Sequence, residues 1–101
     1  MVYLIYKKQA CKTILHVCVL LIQGGKPEIV WTKGDFDGVD IYVDRGSNQF
    51  VFLATDTYPN YTDNAPLPTS GVAVWRYKAI CRYGDEIVGQ YSYIVSIAVG
   101  G

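Results

Sequence analysis

Residues with the side chains that catalysis needs are few in this sequence. His16 is the single histidine, and it lies within the apolar run of residues 14–22. A catalytic site needs a nucleophile, a general base and a group that orients the base, all close together. A histidine inside a strand-like run is more typical of a half-buried strand residue than of a general base. Because the sequence also has no G-x-S-x-G motif and no glycine-rich phosphate loop before a helix, it predicts a protein without catalytic activity.

The densest group of acidic residues is formed by Asp35, Asp37 and Asp40. Oxygen atoms at alternate positions could bind calcium, but this ion takes about six to eight oxygen ligands, and the remaining positions of an EF-hand loop are missing. We interpret these residues as part of a solvated turn. The sequence therefore predicts neither a metal site nor a cofactor.

The chain has three cysteines, Cys11, Cys18 and Cys81, and an odd number does not form a closed set of disulfides. They include no C-x-x-C pair, and one histidine cannot complete a zinc site with three scattered cysteines. We interpret Cys18 and Cys81 as small buried hydrophobic residues. A Cys18–Cys81 disulfide is the alternative, with Cys11 as the free thiol.

Length and composition indicate one folded domain. The chain has 101 residues, of which 50% are hydrophobic and 14% aromatic, whereas disordered chains lack aromatic residues.

The charges of the chain balance. Lys+Arg and Asp+Glu number 9 each, so the formal net charge is zero and there is no basic surplus to bind nucleic acid. Arg76, Lys78 and Arg82 alternate with apolar residues, which predicts the solvent-facing side of one strand rather than a phosphate-binding patch. A neutral chain repels its copies little, so this composition favours self-association.

The N-terminal residues resemble a signal peptide in part, because Lys7, Lys8 and Lys12 precede an apolar run. However, residues 1–6 are already apolar, no small-x-small cleavage site follows, and residues 23–25 have the composition of a turn. The run is too short to cross a bilayer, so no membrane span is predicted. A cleaved signal peptide stays open as the alternative.

The pattern along the chain is that of an all-β protein. Val, Ile, Tyr and Thr dominate, turn-forming residues recur at short intervals, and long helical periodicity is absent, so we expect antiparallel pairing. The predicted strands are residues 2–6, 15–22, 28–33, 39–43, 50–55, 72–83 and 92–99, with a tight turn at residues 84–86. Alternation predicts three sets of residues that share a face: Ile29 and Trp31; Val39, Ile41 and Val43; and Trp75, Tyr77, Ala79 and Cys81.

Several short motifs follow one another between residues 15 and 99. They are Trp31 at the end of a hairpin, the strand 38–42, the triplet Tyr61-Thr62-Asp63, the strand 75–79 and the segment 89–92 before the last strand. With these motifs in this order and spacing, the chain resembles a fibronectin type III domain of the bacterial and phage style. The resemblance implies an immunoglobulin-like, two-sheet Greek-key β-sandwich of about seven strands, over residues 15–101, with residues 1–14 as an N-terminal extension.

The resemblance also carries an expectation about function. Domains of this style serve as spacers, scaffolds or binding domains within larger secreted or virion proteins. We therefore expect a non-catalytic structural or protein-interaction module in an extracellular or virion-associated setting, although a fold does not by itself determine a function. The alternative is a carbohydrate-binding accessory module that uses exposed aromatic side chains.

Two places on this fold are candidate interaction surfaces. If Leu15, Val17 and Val19 point inward along one strand, the outward side of that strand carries His16, Cys18 and Leu20, which is unusually apolar for a solvent-facing side. We expect such a side to be covered, either by residues 2–6 or by a second copy of the chain in a homodimer through the N-terminal strand region. The second candidate surface consists of tyrosines that lie close to turns. The candidate residues are His16, Cys18 and Leu20 on the strand and Tyr58, Tyr83 and Tyr91 near turns.

Overall fold

The computed structural model describes residues 17–34, 36–84, 86–88 and 90–100. Within these ranges the chain forms eight strands and no helix. They are β1 (Val17–Leu21), β2 (Pro27–Trp31), β3 (Gly38–Asp44), β4 (Val51–Asp56), β5 (Tyr61–Thr62), β6 (Val72–Tyr83), β7 (Glu86–Val88) and β8 (Val95–Gly100). The predictions that concern the strand 2–6, the extension 1–14, the signal peptide, Cys11, Leu15, His16 and Asp35 fall outside the described residues.

The strands form two antiparallel sheets that enclose the core. One sheet contains three strands in the order β1-β2-β5, and the other contains five, in the order β4-β3-β6-β7 with β8 also paired to β6. The chain passes from the first sheet to the second between β2 and β3, returns between β4 and β5, and crosses again between β5 and β6. The prediction of an all-β, two-sheet sandwich is confirmed.

Alternation of side chains along the strands accounts for the core. A fully buried aliphatic or aromatic side chain contributes about 1.5–3 kcal/mol relative to an exposed one, so each strand presents its apolar side to the opposite sheet. All three sets of residues that alternation predicts are buried together, which confirms those predictions. The core consists of Ile29, Trp31, Val39, Ile41, Val43, Trp75, Tyr77, Ala79, Cys81 and Val99.

The hairpin between β1 and β2 depends on two glycines, as the sequence predicts. Gly24 and Gly25 have φ angles of 88° and 78°, a region that other residues rarely adopt. The Gly25 N–H donates to the Ile22 carbonyl at 2.9 Å and closes the turn. The resulting register places Val17 opposite Trp31, both facing inward.

The C-terminal part differs from the sequence prediction. The turn after β6 leads into a short strand, β7, which pairs with the end of β6. The last strand begins at Val95 rather than at residue 92, because Ser92 bonds to β6 in another way. Its N–H donates to the Ala79 carbonyl at 2.7 Å, and its Oγ accepts from the Ala79 N–H at 3.0 Å. A side-chain oxygen thus replaces a backbone carbonyl, which a pattern of alternation does not reveal.

A β-bulge changes the direction of the side chains on β4. Ala54 lies opposite Ile41 on β3. The next pair joins Phe52 and Tyr42, so Leu53 is the extra residue. One extra residue exchanges the two faces of a strand from that point on. The bulge therefore turns Phe52 toward the outside of the sheet, beside Tyr42.

Candidate interaction surfaces

Four aromatic side chains and one lysine form a cluster on the outer side of the five-stranded sheet. Tyr42 on β3 lies opposite Lys78 on β6 and, across its other edge, opposite Phe52 on β4. Phe50 comes just before β4, and Tyr91 lies in the segment between β7 and β8. We call the set of Tyr42, Phe50, Phe52, Lys78 and Tyr91 the aromatic face.

Edge-to-face contacts hold three rings of the aromatic face. The centroid of the Tyr42 ring lies 5.7 Å from that of Phe52 and 5.6 Å from that of Tyr91. Such contacts contribute about 0.5–1.5 kcal/mol beyond the burial of area. Burial, together with a hydrogen bond with Tyr91, raises the pKa of Tyr42, so this hydroxyl stays neutral at physiological pH. Phe52 and Tyr91 nevertheless remain 55% and 42% exposed, which leaves their rings accessible to a partner.

Lys78 is held between two rings of the aromatic face. Its Nζ lies 4.6 Å from the centroid of Phe50 and 4.1 Å from that of Tyr91. At these distances the negative faces of the rings attract the ammonium group. Across the ranges that the structure describes, no carboxylate lies within 4.0 Å of this nitrogen. Aromatic rings rather than an acid therefore stabilise the charge of Lys78.

The two arginines on the same side of β6 are neutralised by acids of β3. Arg82 Nη1 donates to Asp40 Oδ2 at 2.7 Å, and Arg76 Nη2 donates to Asp44 Oδ2. The hydrogen bond from Arg76 holds the pKa of Asp44 below its usual value. Of the three cations that the sequence places on this side of β6, only Lys78 has no acidic partner among the described residues.

The second surface is the outer side of the three-stranded sheet. Cys18 and Leu20 point outward from β1, as predicted, and Leu20 is 44% exposed. On β2, Val30 lies opposite Cys18, and Glu28 lies between Leu20 and Thr62. We call the set of Cys18, Leu20, Glu28, Val30 and Thr62 the β1 face. No lysine or arginine of the described ranges lies within 4.0 Å of the Glu28 carboxylate.

The two described cysteines lie on different sides of their sheets. Cys18 is exposed, while its neighbours Val17 and Val19 pack against the core. Cys81 is 2% exposed on the inner side of β6. The two are not bridged to each other. The interpretation as a small buried residue is therefore confirmed for Cys81 and wrong for Cys18, because alternation along β1 turns Cys18 outward.

The three candidate tyrosines do not form one surface. Tyr58, between β4 and β5, is 75% exposed, and Lys33 Nζ lies 5.4 Å from the centroid of its ring. Tyr83 ends β6 and packs against the core. Tyr91 belongs to the aromatic face, on the other side of the sheet from Tyr83. Their part in binding stays a prediction, and within the described structure only Tyr91 joins the aromatic face.

Of the predicted acidic group, Asp37 is exposed, but the interpretation as a solvated turn is wrong for Asp40, which lies in β3 and is 3% exposed. Asp37 Oδ2 accepts from the Gly84 N–H at 2.6 Å, and Asp40 Oδ1 accepts from the Thr55 hydroxyl at 2.6 Å. In the part of the chain that the structure describes, no three or more His, Cys, Asp or Glu side chains are grouped to hold a metal. The same part contains no helix that is long and apolar enough to cross a membrane.

Most of the aromatic face was not identified from the sequence. Alternation along β3 and β6 would have placed Tyr42 and Lys78 on one side, which is a usable signal. Phe52 offers no such signal. Thr55 points to the outer side of β4, so unbroken alternation would place Phe52, three residues earlier, on the core side. Glu28 was missed on the β1 face because it pairs with Leu20 only once the hairpin register is known.

Comparison with known proteins identifies no relative. No family model, curated protein or solved structure matches the chain. Function has to be inferred from the two surfaces themselves.

Proposed function

We propose that the chain is a non-catalytic structural or protein-interaction module that contacts its partner through the aromatic face. The observation that carries this proposal is the exposed ring of Phe52 beside Tyr42 and Tyr91, next to a lysine that no described acid neutralises. Aromatic residues are enriched in the centres of protein interfaces and supply much of the binding energy there.

A fibronectin type III-like architecture is part of this proposal. The three crossings between the sheets are compatible with a Greek-key sandwich. Two of the motifs that carry the resemblance also meet in space, since the Tyr77 hydroxyl donates to Asp63 Oδ2 at 2.5 Å. These features support the resemblance, and the extracellular or virion-associated setting that it implies is proposed with it.

The contacts of the acidic groups support a role without catalysis. Asp40, Asp44 and Asp63 each bind an arginine. Asp56 accepts a hydrogen bond from Trp31 Nε1 at 2.9 Å. Carboxylates that hold strands together in this way are poorly placed to exchange protons with a substrate.

A photo-cross-linking experiment tests the proposal. The amino acid p-benzoylphenylalanine is placed at position 52, on the aromatic face, in cells of the organism that produces the protein. We expect a cross-linked protein partner, because the side chain at this position is exposed within the proposed contact. The same amino acid at position 58, where Tyr58 is also exposed, is the matched comparison.

The two positions discriminate between the proposed surfaces. Adducts at position 52 that are absent at position 58 support the aromatic face. Adducts at position 58 alone would favour the turn surface that the sequence predicts around Tyr58. The absence of any protein adduct at position 52 would contradict the proposed function.

A carbohydrate-binding accessory module is the second candidate, and the clustering of Tyr42, Phe52 and Tyr91 on one side of a sheet favours it. Pyranose rings stack their apolar C–H faces on exposed aromatic rings. Affinity electrophoresis in gels that contain neutral or acidic polysaccharides should then retard the protein. Replacement of both Phe52 and Tyr91 by Ser should abolish the retardation and Tyr58→Ser should not. Free migration in every gel would exclude this candidate.

A further inference from the structure

We infer that copies of this chain stack head to tail, with the β1 face of one copy against the aromatic face of the next. The inference rests on the proposed function and deepens it, since it assigns a second copy as one partner of the aromatic face. Its basis is that each face is apolar and carries one charge without a partner among the described residues, and that the two charges are opposite.

The aromatic face supplies the positive half of this contact. Lys78 lies between the rings of Phe50 and Tyr91, and the nearby Arg76 and Arg82 are already paired with acids of β3. A partner that buries this face would leave the ammonium group without water or an acid. A buried charge without a counter-charge is costly, so the partner has to bring a carboxylate surrounded by apolar side chains.

The β1 face matches that description. Glu28 lies at its centre in register, with Leu20 on one side and Thr62 on the other. Cys18 and Val30 form the next pair on this side of the strands and add apolar surface. Among the described residues no cation lies within 4.0 Å of this carboxylate, and the inference assigns Lys78 of another copy as its partner.

The position of the two faces determines the kind of assembly. They are the outer sides of the two sheets, so they point in opposite directions from the core. Two sheets that pack face to face lie about 10 Å apart, a separation that side chains such as Leu20 and Phe52 fill. A contact between two different surfaces leaves one free face at each end, which produces an open stack or a closed ring rather than a two-fold dimer.

Charge reversal tests the inference on the whole chain of 101 residues. The mass of the wild-type protein is measured by light scattering up to about 1 mM protein, the weak end of specific association. We expect it to rise beyond twice the 11.3 kDa of one chain. Glu28→Lys and Lys78→Glu should each weaken the association about tenfold or more, because each places like charges opposite one another. An equimolar mixture of the two variants should associate again, since each supplies the charge that the other lacks.

Control variants separate this result from loss of folding. Lys33→Glu makes the same change of charge as Lys78→Glu at an exposed site outside both faces, and it should associate like the wild type. Leu20→Lys and Phe52→Glu alter exposed side chains, one on each face, and should also weaken association. Circular dichroism and thermal unfolding of every variant establish that it is folded.

Three outcomes would overturn the inference. The first is a wild-type chain that stays monomeric over the whole concentration range. The second is loss of association in Glu28→Lys but not in Lys78→Glu, which indicates a two-fold contact between β1 faces. The third is two singly changed variants that fail to associate when mixed. None of these results bears on adducts between position 52 and a different protein, so the module function could stand while the stacking fails.

Discussion

At the scale of single residues, Asp63 carries the largest set of polar contacts in the described core. It is 1% exposed and accepts from Arg45 Nη1 at 2.9 Å and Nη2 at 3.1 Å, from the Tyr77 hydroxyl at 2.5 Å and from the Ala65 N–H at 3.2 Å. The guanidinium of Arg45 also lies 4.2 Å from the centroid of the Trp75 ring. Burying a carboxylate is tolerable here because donors surround both of its oxygens.

Stability should therefore depend on pH at both ends of the scale. Burial alone would raise the pKa of Asp63, but the hydrogen bonds from Arg45 and Tyr77 outweigh it and lower that pKa. Burial, followed by the hydrogen bond to Asp63, raises the pKa of Tyr77. The contribution of Asp63 is present above its unfolded pKa of about 3.9 and is lost as the pH falls through the lower folded value. The contribution of Tyr77 is present below about pH 10 and is lost at still higher pH, so urea unfolding should show a plateau between two declining limbs.

Substitution of Asp63 should be costly. Asp63→Asn removes the counter-charge of Arg45, and we expect a loss of about 2–3 kcal/mol in the free energy of unfolding, below the usual figure for a buried pair because Arg45 is partly exposed. Tyr77→Phe, which removes one hydrogen bond, should cost about 1–2 kcal/mol. Urea denaturation at pH 7 measures both. A loss of less than about 0.5 kcal/mol in Asp63→Asn, which is the usual range for a surface substitution, would contradict this account.

At the scale of elements, the start of β3 lies unusually close to the end of β4. A Cβ atom added at Gly38 would come within 2.6 Å of the Asp56 carbonyl oxygen and 3.2 Å of the Thr57 Cα. Both atoms belong to the backbone, so the clash cannot be relieved by rotation of a side chain. The absence of a side chain at position 38 therefore allows β3 and β4 to begin their ladder, on which Tyr42 and Phe52 lie.

Gly38→Ala should destabilise the domain. We expect about 2–3 kcal/mol of lost stability, because overpacking against a backbone forces the two strands apart. Gly34→Ala is the matched control, since its added Cβ would meet only the Phe36 ring, at 3.3 Å, and a ring can rotate. Thermal unfolding of the two variants measures the difference. Equal melting temperatures would show that the strands can separate at no cost.

At the scale of the whole molecule, polar contacts join the two sheets across the apolar core. Trp31 Nε1 on β2 donates to Asp56 Oδ2 at the end of β4, at 2.9 Å. Asp63, which follows β5, receives hydrogen bonds from Tyr77 on β6 and from Arg45, which directly follows β3. Each contact depends on both sheets at once, so neither sheet keeps its full set of bonds alone.

Unfolding should accordingly occur in a single transition. Tryptophan fluorescence and far-ultraviolet circular dichroism of the wild type should give the same urea midpoint, as expected of a small cooperative domain. Trp31→Phe should lower stability by about 2 kcal/mol, because it removes the hydrogen bond to Asp56 and leaves a small cavity. Two separate midpoints in the wild type would show that the sheets unfold independently.

The sequence by itself determined the fold class and the core. Alternation predicted the inward sets on β2, β3 and β6, and the paired glycines predicted the first hairpin, since both signals depend on residues that are adjacent or nearly adjacent. Alternation along β1 also predicted that Cys18 and Leu20 point outward, and the interpretation of Cys18 as a buried residue was wrong. These features follow from local geometry, so they can be read without knowledge of which strands become neighbours.

Only the tertiary structure decided the surfaces. The aromatic face depends on the bulge that turns Phe52 outward, and the pairing of Asp40 and Asp44 with arginines depends on β3 lying beside β6. Both are contacts between segments far apart in the chain, and a one-residue change of register would exchange the faces. That Lys78 and Glu28 have no oppositely charged neighbour among the described residues is likewise known only once strand pairing has placed Asp40 and Asp44 beside Arg82 and Arg76.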